Sequence, residues 1–312
     1  MPEAPLVFVI VLNRNGRQHL EYCLPSIKQT DYPNFRIVMV DNDSTDDSVV
    51  YVRENFRDIH VIEAGRNAGW AGGNNIGIRY ARDNGARYVV LANNDIKVHP
   101  QWIRSCVTAF QSDPLIAFAG CTVFGDIRAV GEEVYQKACQ DWREIRFWIT
   151  DDYIDGMALF IDVTVFDEIG MIDEGYFIYR EETDLETRAQ KAGFKRAKTN
   201  VPVWHYSRGY FRKMTLRAGF YAIRNNIRFA IKHCSFFGFL RAIAREYYIG
   251  CWPFYSGDMT KVTTLRSRPG HPLLNFFLVT YCVLWNVIFL PRTLRKRFED
   301  YRLVRMHQKR TA

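Results

Sequence analysis

Short apolar runs alternate with segments of helical period along the first 125 residues. Positions 6–12, 35–40, 60–63, 88–92 and 116–123 read as buried strands, and 17–29, 46–55, 72–83 and 100–111 as the helices between them, the last opened by Pro100 in its first turn. Successive strand–helix units predict an α/β fold with a mostly parallel, Rossmann-like sheet flanked by helices. In such sheets ligands sit beyond the carboxyl ends of the strands. From 126 to 205 the pattern loosens, leaving a helix at 183–192 and a strand at 201–205. Helical and aromatic stretches follow, including 217–232 and 236–248.

The residues just after each run are polar in a consistent way. Asn13 and Asn15 follow the first, Asp41, Asn42 and Asp43 the second, Asn67 and Gly69 the third, and Asn93, Asn94 and Asp95 the fourth. Each cluster taken singly is also what a turn or helix cap requires. Four in register predict one polar crevice.

Composition adds compartment and partners. The 312 residues are 48% hydrophobic and 24% charged, a globular balance. The net charge of +8 hides a partition: residues 1–205 carry 22 basic against 30 acidic side chains, and residues 206–312 carry 20 against 4. A basic, aromatic-rich tail suits an anionic surface. The seven cysteines are scattered with no C-x-x-C pair, so they read as reduced thiols. The run at 6–12 ends at Asn13 without a basic leader or small-residue cleavage site, and reads as a first strand of a cytoplasmic body.

Chemistry concentrates in four segments. In VDNDSTD, Asp41 ends a strand and can accept the imide N–H of a nucleobase. In GRNAGWAGGNN, residues 65–75, glycines 69, 72 and 73 are expected to allow close backbone approach, and free N–H groups at the helix start would favour a diphosphate. There is no G-x-G-x-x-G and no P-loop, so the dehydrogenase and NTPase readings lose their main support, and the alternative for this segment is a plain glycine-rich turn. In LANND, Asp95 supplies a hard oxygen ligand for Mg²⁺ or Mn²⁺. His205, in VPVWHYS, offers a further nitrogen ligand, or packs beside Trp204. Glu181, Glu182 and Asp184 open a helix, where the helix dipole favours acids in any case, and where a carboxylate can serve as general base.

Together these residues resemble family 2 glycosyltransferases of the GT-A fold, especially the rhamnosyltransferase-like branch. The resemblance rests on VDNDSTD, NAGWAGGNN, NND, the acidic EE-x-D-L followed by R-x-x-x-x-G, and WH, in that order. It extends to FYAIRNNIRF at 220–229, which is similar to a Tyr-Tyr-x-x-Arg-Asn segment of that branch. The resemblance implies an inverting transfer of a sugar, rhamnose among the candidates, from a dTDP-, UDP- or GDP-sugar. Asn13, Asp41, Asn67, Gly69, Asn75 and Asn94 would bind the donor. Asp95 and His205 would hold the divalent metal, and Glu182 would be the base with Glu181 or Asp184 as alternates. Gly156, in IDGMALFI, resembles the small-residue acceptor loop. Two departures stand out: the family's D-x-D is Asn93-Asn94-Asp95 here, and the base is Glu where Asp is commoner.

We expect a catalytic domain over 1–210, with a nucleotide-sugar half to about 125 and an acceptor half after it, and a basic helical region over 211–312. Residues 273–290 form an uncharged run of 18 with basic flanks. Its Asn275 and Asn286 share one helix face. Basic flanks on both sides favour an interfacial or re-entrant helix, with a buried helix of an oligomer as the alternative. The protein is therefore expected on the inner face of the cell membrane, attached through this region, with a glycan or polyprenyl-linked acceptor of the cell envelope. Two rivals are weaker. A nucleotidyltransferase lacks its G-x-x-T-R loop, with only Asn15-Gly16-Arg17 in place. For nucleic-acid binding, the basic tail carries a long apolar run and no recognised module, so nucleic acid is not an expected partner.

Overall fold

A computed structural model describes residues 4–141, 144–206, 215–251 and 272–311. The expected domain boundary at 210 lies outside the described residues. The first half runs β1 (Val7–Asn13), α1 (Arg17–Lys28), β2 (Phe35–Asp41), α2 (Ser48–Asn55), β3 (His60–Glu63), α3 (Gly69–Asp83), β4 (Tyr88–Asn93), β5 (Ile96–Val98) and α4 (Trp102–Ser112). Pro100 lies two residues ahead of α4, whose Trp102 N–H donates to His99 O at 3.0 Å.

The second half runs β6 (Ile116–Asp126), α5 (Ile127–Asp141), β7 (Phe147–Thr150), β8 (Ala158–Asp162), α6 (Val165–Ile169), α7 (Glu181–Ala192) and β9 (Lys195–His205). Four further helices follow: α8 (Leu216–His233), α9 (Phe236–Cys251), α10 (Pro272–Ile288) and α11 (Leu290–Thr311).

The main sheet path is β3-β2-β1-β4-β8-β6-β9-β5, with β7 paired to β9. Its first four strands are parallel, in register from Val7 opposite Phe35 to Asn13 opposite Asp41. Beyond β4 the sheet is mixed, because β8 inserts antiparallel between β4 and β6, while β5 and β7 pair antiparallel with β9.

Both faces of the sheet are covered, which explains why its strands read as unbroken apolar runs. Val7, Val9 and Val11 point to the side of α1 and α4, with Leu20, Leu24 and Trp102. Phe8 and Ile10 point to the side of α3 and α7, with Ile78 and Leu185. Helix α3 sits close on this second face because Gly73 and Gly77 carry no side chain against Leu12, Ile10 and Val40.

The C-terminal helices pack on the body. Helix α10 buries Asn275, Val279, Cys282 and Asn286, the asparagine face, against α8 and α9. The apolar run breaks at Phe289, where α10 and α11 meet at 65°, and no single helix among the described residues is long and apolar enough to cross a membrane. Helix α11 then lies against α6, α7 and α8.

Candidate active site

The ends of β1, β2 and β4 adjoin because those strands are parallel neighbours. Asn13, fully buried, donates through Nδ2 to Asp41 Oδ1 at 3.4 Å and to Ser44 Oγ at 3.2 Å, and accepts from Asn94 Nδ2 at 2.7 Å. Asp41 Oδ2 accepts from the Ser44 N–H at 3.0 Å, closing the turn after β2. A carboxylate has about four acceptor positions, so Asp41 keeps capacity for a further donor. Gly16 leaves room beside this junction: a Cβ there would overlap the Asn94 Nδ2 position and come within 2.6 Å of Asn13 Oδ1.

Asn67 and Gly69 are joined to the same rim by Asn42. Its Nδ2 donates to Asn67 Oδ1 at 3.3 Å and to Gly69 O at 3.1 Å, and its Oδ1 accepts from the Ala68 N–H at 2.8 Å. Here the structure corrects one expectation. The first-turn N–H groups of α3 are not free: Gly69 N donates to Asn67 Oδ1, and Trp70 N and Ala71 N donate to Phe177 O at 2.7 and 3.3 Å. Gly69 has φ +73°, and a Cβ there would overlap Phe177 O. The glycine-rich turn thus docks the 177 loop and the sheet rather than presenting an open anion site. Asn75 is likewise turned away, donating to Ile172 O and Glu174 Oε1 at 2.9 Å each.

Asp95 and His205 are brought together by the antiparallel pairing of β5 with β9, which sets Ile96 opposite His205. His205 Nε2 lies 3.2 Å from Asp95 Oδ1, an oxygen that is buried yet accepts no hydrogen bond. An unsatisfied carboxylate oxygen beside an imidazole nitrogen suits a hard divalent ion completed by ligand oxygens. Among the described residues no group of three or more His, Cys, Asp or Glu side chains forms a closed cation cage.

Trp70 links this end of the crevice to α7. Its Nε1 donates to Asn93 Oδ1 at 3.2 Å, and its ring faces Gly156, where a Cβ would lie 3.2 Å from Trp70 Cζ2 and 3.6 Å from Glu182 Cγ. Gly156 and Glu182 therefore share one wall. Enclosure by protein raises the Glu182 carboxyl above the ordinary glutamate range, against its own backbone N–H and the Arg180 charge. Burial, with the Glu182 charge beside it, raises Glu181 further, and Glu181 Oε2 is buried without a hydrogen bond.

Asp184 is placed differently. It is fully buried, 2.6 Å from Lys232 Nζ, 2.9 Å from Arg188 Nε and 2.8 Å from His233 Nε2. Despite burial, the Lys232 and Arg188 charges and the His233 hydrogen bond hold it well below the usual carboxylate range.

Several residues that shape this site carry no role in the sequence reading. Phe177, Tyr179 and Arg180 have φ of 69°, 72° and 75°, a left-handed backbone that costs non-glycine residues energy. Asn225 of α8, fully buried, holds them through Nδ2, which lies 2.9, 2.7 and 2.8 Å from Tyr176 O, Ile178 O and Tyr179 O. Arg224 adds donation to Tyr176 O at 2.6 Å. Arg224 and Asn225 lie in FYAIRNNIRF, Trp70 in NAGWAGGNN and Asn42 in VDNDSTD.

Comparison with known proteins adds four likenesses. The family model for glycosyl transferase family 2 matches residues 7–169, a little over half of the chain. The low-salt glycan biosynthesis hexosyltransferase Agl10 of Haloferax volcanii is 30% identical over 165 residues, 49% of this chain and 53% of that protein. The chain thus spans about half the length of that relative. An N-acetylglucosaminyl-diphospho-decaprenol L-rhamnosyltransferase of Mycobacterium tuberculosis is 24% identical over 221 residues, 60% of this chain and 71% of that protein. Among solved structures, the mannosyltransferase PcManGT of Pyrobaculum calidifontis, in complex with GDP-Man and Mn²⁺, superposes with a TM-score of 0.54 at 17% identity over 96% of this chain and 74% of that one. The fold is that of GT-A glycosyltransferases.

Proposed function

Because the chain belongs to glycosyl transferase family 2, we propose that it moves a sugar from a nucleoside diphosphate donor to a hydroxyl of a lipid-linked or cell-envelope glycan, with inversion at the anomeric carbon. The observation that carries this reading is the bridge made by Trp70, which joins the LANND strand end to the wall shared by Gly156 and Glu182.

The roles follow from position. Asp41, oriented by Asn13 and Ser44, takes the base N–H of the donor. Asn94, Asn67 and Gly69 line the donor rim, and Asn75 supports it by fixing α3. Asp95 and His205 would hold a Mg²⁺ or Mn²⁺ ion, whose chemistry there would be to neutralise charge on the departing diphosphate. Glu182 removes the acceptor proton as the hydroxyl oxygen attacks the anomeric carbon, a role its raised pKa suits. Glu181 is the deeper neighbour, and Asp184 is committed to its cations. Gly156 leaves room for the acceptor beside Trp70.

The acceptor reading draws on the printed activity of the mycobacterial relative and on the surface of the C-terminal helices. Phe277, Ile288 and Phe298 are 60%, 70% and 70% exposed, amid a tail with 20 basic against 4 acidic side chains. Such a surface supports peripheral attachment to the inner, anionic face of the cell membrane.

A donor screen tests the reading. Thermal shift with UDP-, GDP- and dTDP-sugars, with and without Mn²⁺, should identify one donor, and Asp95→Ala should abolish its metal-dependent part. Glu182→Gln should keep donor binding while turnover falls about 100-fold or more, as when a general base is lost. Transfer by Glu182→Gln at the unaltered rate would remove Glu182 from the role.

A further inference from the structure

Glu186 lies past the first turn of α7, where the helix dipole no longer favours an acid, and it is fully buried. A buried carboxyl is costly unless its oxygens find partners. Ile154 N donates to both of them, at 3.2 Å from Oε1 and 3.0 Å from Oε2. Arg196 of β9, only 4% exposed, places Nη1 3.5 Å from Oε2 and donates through Nη2 to Asp151 O at 2.9 Å. Burial pushes the Glu186 carboxyl up to about 8, against the Ile154 N–H and the Arg196 charge, so at neutral pH it holds Ile154 as an acceptor more than as an ion.

These partners belong to the connection between β7 and β8, whose residues 151–157 join no strand ladder. Tyr153 makes a third tie, its hydroxyl 3.0 Å from Thr187 Oγ1 and its ring centre 4.8 Å from the Arg196 guanidinium carbon. Ile154 is buried against Gly120, where a Cβ would overlap Ile154 Cγ2. Helix α7 and strand β9 therefore set where this segment stands. Gly156 follows Ile154 by two residues, and Glu182 precedes Glu186 by four, on the same helix face. Stability alone does not call for such a pair, because apolar replacement of both members of a buried ionic pair is commonly neutral or stabilising.

We infer that Glu186, with Arg196, is a positioning residue for transfer: its hold on Ile154 sets the gap between Gly156 and Glu182 that the acceptor hydroxyl enters. The inference rests on the reading of Gly156 as the acceptor side and Glu182 as the base. Its consequence is that one helix carries both the base and the strut that spaces the opposite wall from it.

The test uses the full chain, the donor that the thermal-shift screen identifies, and octyl glycosides of glucose, galactose, mannose and N-acetylglucosamine as acceptor probes. The double variant Glu186→Leu/Arg196→Met should keep its melting temperature within about 5 °C. Hydrogen exchange in a peptide covering 151–157 should nevertheless quicken about tenfold, since the Ile154 N–H loses its acceptor. The donor's thermal shift should persist while transfer to the best probe falls about 100-fold, the cost of a misplacement near 1 Å, and loss of donor to water takes a larger share of turnover. Glu186→Gln, which retains an oxygen for the Ile154 N–H, should recover most of that transfer. A purely structural pair would lower the melting temperature and leave the partition between probe and water alone. Unchanged exchange at 151–157, faster exchange with unchanged transfer, or a double variant that does not fold overturns the inference. Transfer to no probe by the unaltered chain sinks the acceptor reading alone, and the exchange result still decides whether Glu186 holds the segment.

Discussion

Replacing Asn225 by alanine should cost this protein more in turnover than its loss of stability explains. Asn225 Nδ2, with two hydrogens to donate, lies within 2.9 Å of three carbonyls of the 176–179 loop, and its Oδ1 accepts from Arg224 Nε at 2.8 Å. Tyr176 O keeps Arg224 and the Ile178 N–H, so Ile178 O and Tyr179 O are the two that lose this donor; at about 1–3 kcal/mol each, less where water can enter, a total of about 3 kcal/mol is expected. At roughly 2–4 °C per kcal/mol for a domain of this order of size, the melting temperature should fall by about 6–12 °C. The catalytic effect has another origin. Without the amide, α8 keeps Arg224 on Tyr176 O, Asn226 on Arg180 Nε and the Tyr221 ring on Phe177 but loses its donor to Ile178 O and Tyr179 O, and the left-handed stretch at Phe177 and Tyr179 relaxes. Arg180 immediately precedes Glu181 and Glu182, and Phe177 O caps α3, so both walls of the crevice move together. A misplacement of about 1 Å costs about 100-fold in rate. The assay is steady-state transfer, with kcat and the donor KM separated below the melting range. Val279→Ala is the control: it removes fully buried methyl groups on α10 at a cost of about 2 kcal/mol but touches no loop carbonyl. Its kcat should stay within about twofold. If Asn225→Ala melts as expected yet keeps the kcat of the control, the loop does not position Glu182.

Three further outcomes are expected. Gly16→Ala should leave the fold intact, since the glycine has φ −116°, but should force Asn94 off Asn13 and weaken donor binding by about 1 kcal/mol, or roughly fivefold; titration calorimetry with the identified donor reads this directly. As a base, Glu182 must be ionised, and its pKa is raised, so kcat should fall as pH drops along a limb lying above the titration of an ordinary glutamate, and Glu182→Gln should abolish that limb. Lys232→Met should cost about 3–5 kcal/mol in urea unfolding at neutral pH, because it strips the shared cation from Asp173, Asp184 and Asp300. Asp173, held by Lys232 and Arg228 at about 2 against 3.8 unfolded, adds about 2 kcal/mol that is present above pH 3.8 and lost as pH falls through about 2; acid unfolding in that window should be weakened in the variant, and an unchanged acid limb would show that Lys232 does not set it.

The parallel half of the sheet was legible because each of β1, β2 and β4 is an apolar run closed by a polar cluster, a local signal that needs no partner. β8 was not. Ala158–Asp162 is buried throughout, and its insertion between β4 and β6 depends on pairing with residues about seventy and about forty positions away, which no periodicity records. Asp41, Asn13 and Asn94 were legible as a cluster for the same reason that β1 was, since strand ends in register must meet. The glycine turn misled because its composition fits two uses. Glycine permits approach by a phosphate or by protein, and only the Phe177 carbonyl against Gly69 decides for protein. The left-handed loop gave no warning either, because Phe177, Tyr179 and Arg180 are residues that rarely adopt that backbone, and the donor that holds them is about fifty residues away.

The buried charges explain why the last helices matter to an active site they do not enter. Asp173, Asp184 and Asp300 meet Arg188, Arg228 and Lys232, all nearly inaccessible, with Lys232 touching all three carboxylates and Lys296 reaching Asp300 at 2.9 Å. Lone buried charges are costly, and a cluster of this kind is tolerable only when it is complete. Its members come from the segment before α7, from α7 itself, from α8 and from α11. Helix α7 begins with Glu181 and Glu182, so the charge balance that fixes α7 also fixes the proposed base, and that balance is closed by Asp300 near the chain's end. Asp184 thus acts at a distance from the reacting atoms: two residues past Glu182, it ties the helix that carries the base to the helices that present an apolar, basic surface. An acceptor held at that surface and a donor held at the strand ends would meet across one rigid helix.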